Sequence, residues 1–165
     1  MKSIRQLTVI LLSLLILTPS TVMAQEDKSL ELTSSVLREV KVQDQKGETK
    51  TELVPVEKAM PGEELIVQVS YTNMGAEPAE NIVIVNPVPD QMVYVAGSAA
   101  GNSARATFSI DGGATYDVPE KLLIKDEQGK EKQAPPERYT HIRFSRSQIL
   151  KPGQTDTVTF RAVLK

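Results

Sequence analysis

From about position 30 onward, apolar and polar residues alternate with a period of two. Leu65, Val67, Val69 and Tyr71 alternate with Ile66, Gln68, Ser70 and Thr72. Val158, Phe160, Ala162 and Leu164 alternate with Thr157, Thr159, Arg161 and Val163, and Ala106, Phe108 and Ile110 with Arg105, Thr107 and Ser109. Such spacing gives strands with one face on a core and one in water. Residues 82–85 and 92–95 are apolar on both faces and are expected to be central strands. Turn formers punctuate the pattern at Lys46-Gly47, Pro61-Gly62, Asn73-Met74-Gly75, 87–90, Asp111-Gly112-Gly113, Gln128-Gly129 and Pro152-Gly153. The pattern predicts strands at 30–42, 49–56, 64–73, 80–86, 92–97, 104–110, 114–118, 121–125, 138–145 and 155–164. The expected fold class is all-β, an immunoglobulin-like antiparallel sandwich of about 8–10 strands. The charged segment 125–138, ending in Pro135-Pro136, reads as a solvated excursion that covers one sheet edge.

The first 24 residues have a different grammar. Lys2 and Arg5 precede an apolar run from Leu7 to Leu17, Thr18-Pro19-Ser20 breaks it, and Val22-Met23-Ala24 places small residues before a cut. This is the pattern of a signal peptide cleaved after Ala24, and the apolar run is about half the length a membrane span needs. Residues 1–24 are therefore expected to be a leader and 25–165 a single domain, exported to the periplasm or, alternatively, the extracellular space. The cut site has no Cys for a lipid anchor, and no apolar run follows at the C-terminus. The mature chain is accordingly expected to carry no membrane anchor.

The leader holds two of the 19 Lys and Arg and none of the 21 Asp and Glu. That leaves 17 basic against 21 acidic residues, a net charge of −4 on the mature chain. A mildly acidic domain without a basic patch is a poor nucleic-acid binder. With no Cys and one His, disulfides and the usual structural zinc sites are excluded. His141 lies in Tyr139-Thr140-His141-Ile142-Arg143-Phe144; Ile142 and Phe144 mark the inward face, so Tyr139, His141 and Arg143 are expected to point outward. No Gly-x-Ser-x-Gly elbow, His-Glu-x-x-His helix or phosphate loop is present. Carboxylate pairs such as Glu63-Glu64 and Asp126-Glu127 are adjacent, and on strands they would diverge. No catalytic, cofactor-binding or metal-ligating residue is expected.

Three stretches carry a resemblance: Pro61-Gly62-Glu63, then 69–75 (Val-Ser-Tyr-Thr-Asn-Met-Gly), then 79–84 (Ala-Glu-Asn-Ile-Val-Ile). Together with Asn86-Pro87-Val88-Pro89 and Leu150-Lys151-Pro152-Gly153 they resemble the conserved repeat domain of bacterial surface and exported proteins, known as domain of unknown function number eleven. Asn86 stands where that family has Asp, and Val88 where it has Leu. The resemblance covers about 56–165. It implies an immunoglobulin-like sandwich serving as a stalk, spacer or adhesive module, although this chain holds one copy where the family has tandem ones. Tyr71 is expected to bury its ring and bond a backbone group through its hydroxyl. Asn73 is expected to bond its own backbone, with Gly75 left-handed.

Residues 109–116 (Ser-Ile-Asp-Gly-Gly-Ala-Thr-Tyr) match the Asp-box pattern of sialidase-like propellers, which implies a hairpin with Asp111 bonding turn amides. A propeller would need several copies and a longer chain. A calcium site at Asp111 with Asp117 lacks the dense oxygen ligands it would need. The sequence thus points to a non-catalytic structural or protein-interaction module of the bacterial cell envelope. Its expected partner is an envelope or surface protein, or a second copy, met through an unpaired edge strand. The alternative is a carbohydrate- or ligand-binding module of the same fold.

Overall fold

The computed structural model describes residues 29–165, so the expected leader lies outside the described residues. Eleven strands follow in chain order: β1 (Leu30–Gln43), β2 (Thr49–Pro55), β3 (Glu64–Asn73), β4 (Val83–Pro87), β5 (Met92–Tyr94), β6 (Ala100–Gly101), β7 (Ala104–Ser109), β8 (Leu123–Lys125), β9 (Glu131–Gln133), β10 (His141–Arg146) and β11 (Thr155–Leu164). Short 3-10 turns at Pro119–Lys121 and Pro136–Arg138 are the helical elements of the described residues. The larger sheet runs β2-β1-β3-β11-β5, with β6 also on β11; the smaller runs β4-β10-β7. β8 and β9 pair only with each other. All pairings are antiparallel, and the fold is an all-β sandwich.

Two hairpins are set by the same local chemistry. Asp44 accepts the amides of Lys46 and Glu48 on one carboxylate oxygen, at 2.9 and 3.0 Å, where β1 turns into β2. Asp126 accepts those of Gln128 and Lys130 at 3.0 and 2.9 Å, where β8 turns into β9. Both are Asp-x-x-Gly segments, in which a carboxylate satisfies the amides that the turn leaves unpaired. The second turn lies inside the segment expected to be a solvated excursion. That segment is instead a hairpin, and its flanks Leu122, Ala134 and Tyr139 are buried in the core.

The core is built from the alternation. Leu65, Val67, Val69 and Tyr71 of β3 and Val158, Phe160 and Ala162 of β11 face Ile84 of β4, Phe108 of β7 and Ile142 and Phe144 of β10. Burying a side chain of this size contributes about 1.5–3 kcal/mol, so this interface supplies most of the stabilisation.

One polar group crosses it. Arg146, at the end of β10, is buried and pairs through its guanidinium with Asp156 of β11. It also donates to the Tyr71 hydroxyl at 3.4 Å and to the carbonyls of Asn102 and Gln148 at 3.2 and 2.9 Å. The hydroxyl of Tyr71 therefore finds a guanidinium rather than the backbone partner expected. Burial works against the charge of Arg146, but the bonds to Tyr71 and Asp156 outweigh it and hold its pKa above the ordinary value.

Asn73 makes a second knot. Its side-chain oxygen accepts the Gly75 amide at 2.9 Å, and its amide donates to the carbonyls of Glu77 and Leu150, each at 2.8 Å. Ala79 bridges Leu150 nearby, and the Gly153 amide donates to the Asn73 carbonyl at 2.8 Å. The scattered motifs around Asn73, Ala79 and Leu150–Gly153 thus meet in space. Gly75 is not left-handed as expected; a Cβ there would lie 3.2 Å from the Asn73 amide oxygen and 3.3 Å from Ser29 Cβ, so the site demands closeness, not unusual dihedrals.

Other expectations change too. Residues 114–118 form no strand; a single bridge between Phe108 and Asp117 stands in their place. β4 starts at Val83 rather than 80, after Asn81 takes a left-handed φ of 53°. Tyr139 is buried, not outward, because it follows a 3-10 turn and lies outside the alternation of β10.

Replacing Arg146 with Met should cost about 3–5 kcal/mol, because it strands a mostly buried Asp156 carboxylate. Adding Asp156→Leu should restore much of that loss. Urea denaturation of both variants checks this, and a loss below about 1 kcal/mol for the single variant would contradict it.

Candidate functional site

The two sheets are unequal, and the consequence falls on one side. β7 lies against β6, under the β11 end of the larger sheet, so β4 sits towards β1. β1 pairs β3 over Leu30–Leu37 and β2 only over Leu37–Gln43. Its first half therefore has a free edge on that same side. The register places Leu32 opposite Tyr71 and Val36 opposite Val67, so both point towards the interior. Nothing covers them among the described residues: Leu32 is 52% and Val36 39% exposed.

β4 is an edge strand of the smaller sheet. Backbone bonds from Arg146 N to Ile82 O and from Val88 N to Thr140 O show that even-numbered residues of this stretch bond β10. Antiparallel alternation then turns the amides and carbonyls of Val83 and Val85 away from β10. No described strand receives them. Pro87, also at an odd position, gives up an amide that no neighbour would use. The side chains of Val83 and Val85 are 52% and 49% exposed on the outer face.

Segments 82–85 and 92–95 were expected to be central strands. Both belong to edges instead: β4 ends the smaller sheet and β5 the larger. Apolarity on both faces does not separate a buried strand from one lacking a neighbour. The edges at β2 and β7 are guarded. β2 carries Lys50 and Glu52 and ends in Pro55, features that discourage pairing. β7 exchanges two bonds between Phe108 and Asp117, at 2.8 and 3.0 Å. β4 has neither charge nor cover.

The Asp-box loop is a structural device. Asp111 accepts Ser109 Oγ at 2.7 Å and the Thr115 amide at 3.0 Å on one oxygen, and Thr115 Oγ1 at 2.6 Å on the other. Ser109, expected on the wet face, is fully buried and receives the Gly113 amide at 2.9 Å. Gly112 and Gly113 both take left-handed φ, 75° and 89°, which a side chain would resist. The hydroxyl and amide of Thr115, then Ser109, hold the Asp111 carboxyl well below the usual range. Tyr116 lies under the Arg143 guanidinium, 4.5 Å from ring centroid to Cζ.

His141 is half-buried on the outer face of the smaller sheet, with Nδ1 3.2 Å from Thr140 Oγ1. Asp117 accepts the Val118 amide at 2.8 Å and pairs with Lys121 at 3.6 Å, so it does not turn towards Asp111 as a shared calcium site would require. Among the described residues no three His, Cys, Asp or Glu side chains gather around a metal-sized point. Compared with protein-family models, curated proteins and solved structures, the chain gives no match.

Asp111→Ala should lower stability at neutral pH, whereas His141→Ala should change it by no more than about 0.5 kcal/mol. Because folding depresses the Asp111 pKa, its contribution is present above the unfolded value of about 3.9 and is lost as pH falls below it. Denaturation curves at pH 7 and about pH 2 should show the gap between wild type and Asp111→Ala closing in acid. An equal gap at both would contradict the assignment.

Proposed function

We propose that this chain is a non-catalytic, exported protein-interaction module of the bacterial cell envelope, of immunoglobulin-like type, that binds an extended segment of another envelope protein along β4. The observation that carries the reading is an edge strand, β4, whose outward amides, carbonyls and apolar side chains have no neighbour among the described residues. Folded proteins guard such edges unless the edge is used.

An incoming strand would complete the ladder through the backbone of Val83 and Val85, which supplies affinity without regard to sequence. Its side chains alternate. One set would enter the opening beneath Leu32 and Val36, and the other would lie beside Val83 and Val85. The preferred segment is therefore extended, apolar on both faces and free of charge. The leader pattern of the first 24 residues, the modest negative charge and the thin catalytic inventory of the sequence all fit a module that works by contact.

A photo-crosslinking residue at position 83 of the exported protein, the other exposed position of the edge, should trap a defined envelope protein in cells. Val85→Lys should abolish that product, since a charge on the edge opposes pairing, and should shift stability by no more than about 0.5 kcal/mol, as a surface change. Unchanged crosslinking in Val85→Lys, or a product consisting only of a second copy of this chain, would overturn the reading.

A further inference from the structure

The opposite side of the sandwich holds a different feature. Between the β5–β6 connection, β7 and the β8–β9 hairpin lies an open cleft of about 540 Å³. Its inner wall is a cluster of three rings: Tyr94 and Phe108 with centroids 5.1 Å apart, Tyr94 and Tyr139 at 5.7 Å, and Phe108 and Tyr139 at 5.0 Å. Its outer wall is the hairpin's return, with Pro135 and Pro136. That hairpin shares no ladder with either sheet; it is fixed by its own pairing, by Leu122 and Ala134 in the core, and by the two 3-10 turns.

The lining contains no Lys, Arg, Asp or Glu. Its side-chain polar groups are the Gln133 amide and the two tyrosine hydroxyls. The Tyr94 hydroxyl accepts the Ala99 amide at 3.2 Å. The Tyr139 hydroxyl has no protein partner among the described residues, although its residue is 6% exposed. No buried side-chain nitrogen or oxygen of the described residues lacks a partner, so this hydroxyl is open to solvent and free to donate. Its residue lines a cleft with room for an acceptor. The volume falls within the range of small-molecule sites, which pair an apolar lining with a few placed polar groups.

We infer that this cleft binds a small, uncharged, largely apolar molecule that packs against its apolar lining, backed by Tyr94, Phe108 and Tyr139, and accepts a hydrogen bond from Tyr139. An ionic ligand is excluded by the lining, because a buried charge without a counter-charge or hydrogen bonds is strongly disfavoured. A sugar fits poorly as well, since its many hydroxyls would meet three polar side-chain groups at most. The site is separate from the β4 edge, and neither reading depends on the other.

The uncharged naphthyl ketone Prodan is a direct probe, with an apolar ring system and one carbonyl acceptor. Titrated into the mature chain, it should show saturable one-site binding with blue-shifted emission. Tyr139→Phe keeps the ring and removes the donor, and should weaken binding by about threefold to tenfold. Ala96→Leu places an exposed residue's larger side chain at the mouth of the cleft, and should weaken it more than about tenfold with the melting temperature held. The charged fluorophore anilinonaphthalene sulfonate should bind at least about tenfold more weakly than Prodan. Failure of the folded wild type to saturate, full binding by Ala96→Leu, or equal binding of the sulfonate would each overturn the assignment.

Discussion

Among the described residues, the guanidinium of Arg146 is the one charged group that ties the two sheets together through their interior. It sits at the end of β10 and reaches Asp156 on β11 and Tyr71 on β3, and it also donates to the carbonyls of Asn102 and Gln148. A buried charge is tolerable only when it is paired and its donors are filled. That requirement fixes where β10 crosses the larger sheet, and so fixes the positions of β4 and β7 on either side of it. Apolar packing alone would hold the layers together while leaving their offset less defined.

The offset produces the functional geometry. With β10 held by Arg146, the β7 side lies under β6 and is closed by the Phe108–Asp117 bridge and the β8–β9 hairpin. The β4 side receives no such cover among the described residues, and β1 leaves its interior-facing Leu32 and Val36 exposed above it. Three strands facing six therefore yield one closed side, which keeps an aromatic cleft under its hairpin, and one open side. Both features arise from the same mismatch in sheet width. The Asp-box loop belongs to the closed side, where Asp111 and Ser109 hold the corner that leads to Asp117.

Much of the fold was legible in the alternation. β3 and β11 match their expected spans to within a residue, and β1, β2, β7 and β10 lie within a few residues of theirs. The failures have physical causes. Residues 114–118 alternate like a strand, but Asp111 takes the Thr115 amide that a ladder would use. β9 is hidden because its three residues, Glu131 to Gln133, are all exposed and carry no apolar face; the Asp-x-x-Gly turn at Asp126, twin of the one at Asp44, was the signal that could have exposed it. β4 was misplaced because two-sided apolarity reads alike for a buried strand and an unpartnered one. The Arg146–Asp156 pair could not be read at all, since ten residues of sequence separate groups on different sheets.

The open edge at β4 is the claim on which the functional account rests, and backbone amide hydrogen exchange tests it most directly. In the isolated protein, the amides of Val83 and Val85 should exchange rapidly, while those of Ile84 and Asn86, bonded to β10, are strongly protected. That alternation, residue by residue along β4, is the expected result. Protection of Val83 and Val85 equal to that of Ile84 and Asn86 would mean the edge is already paired, and would contradict the account.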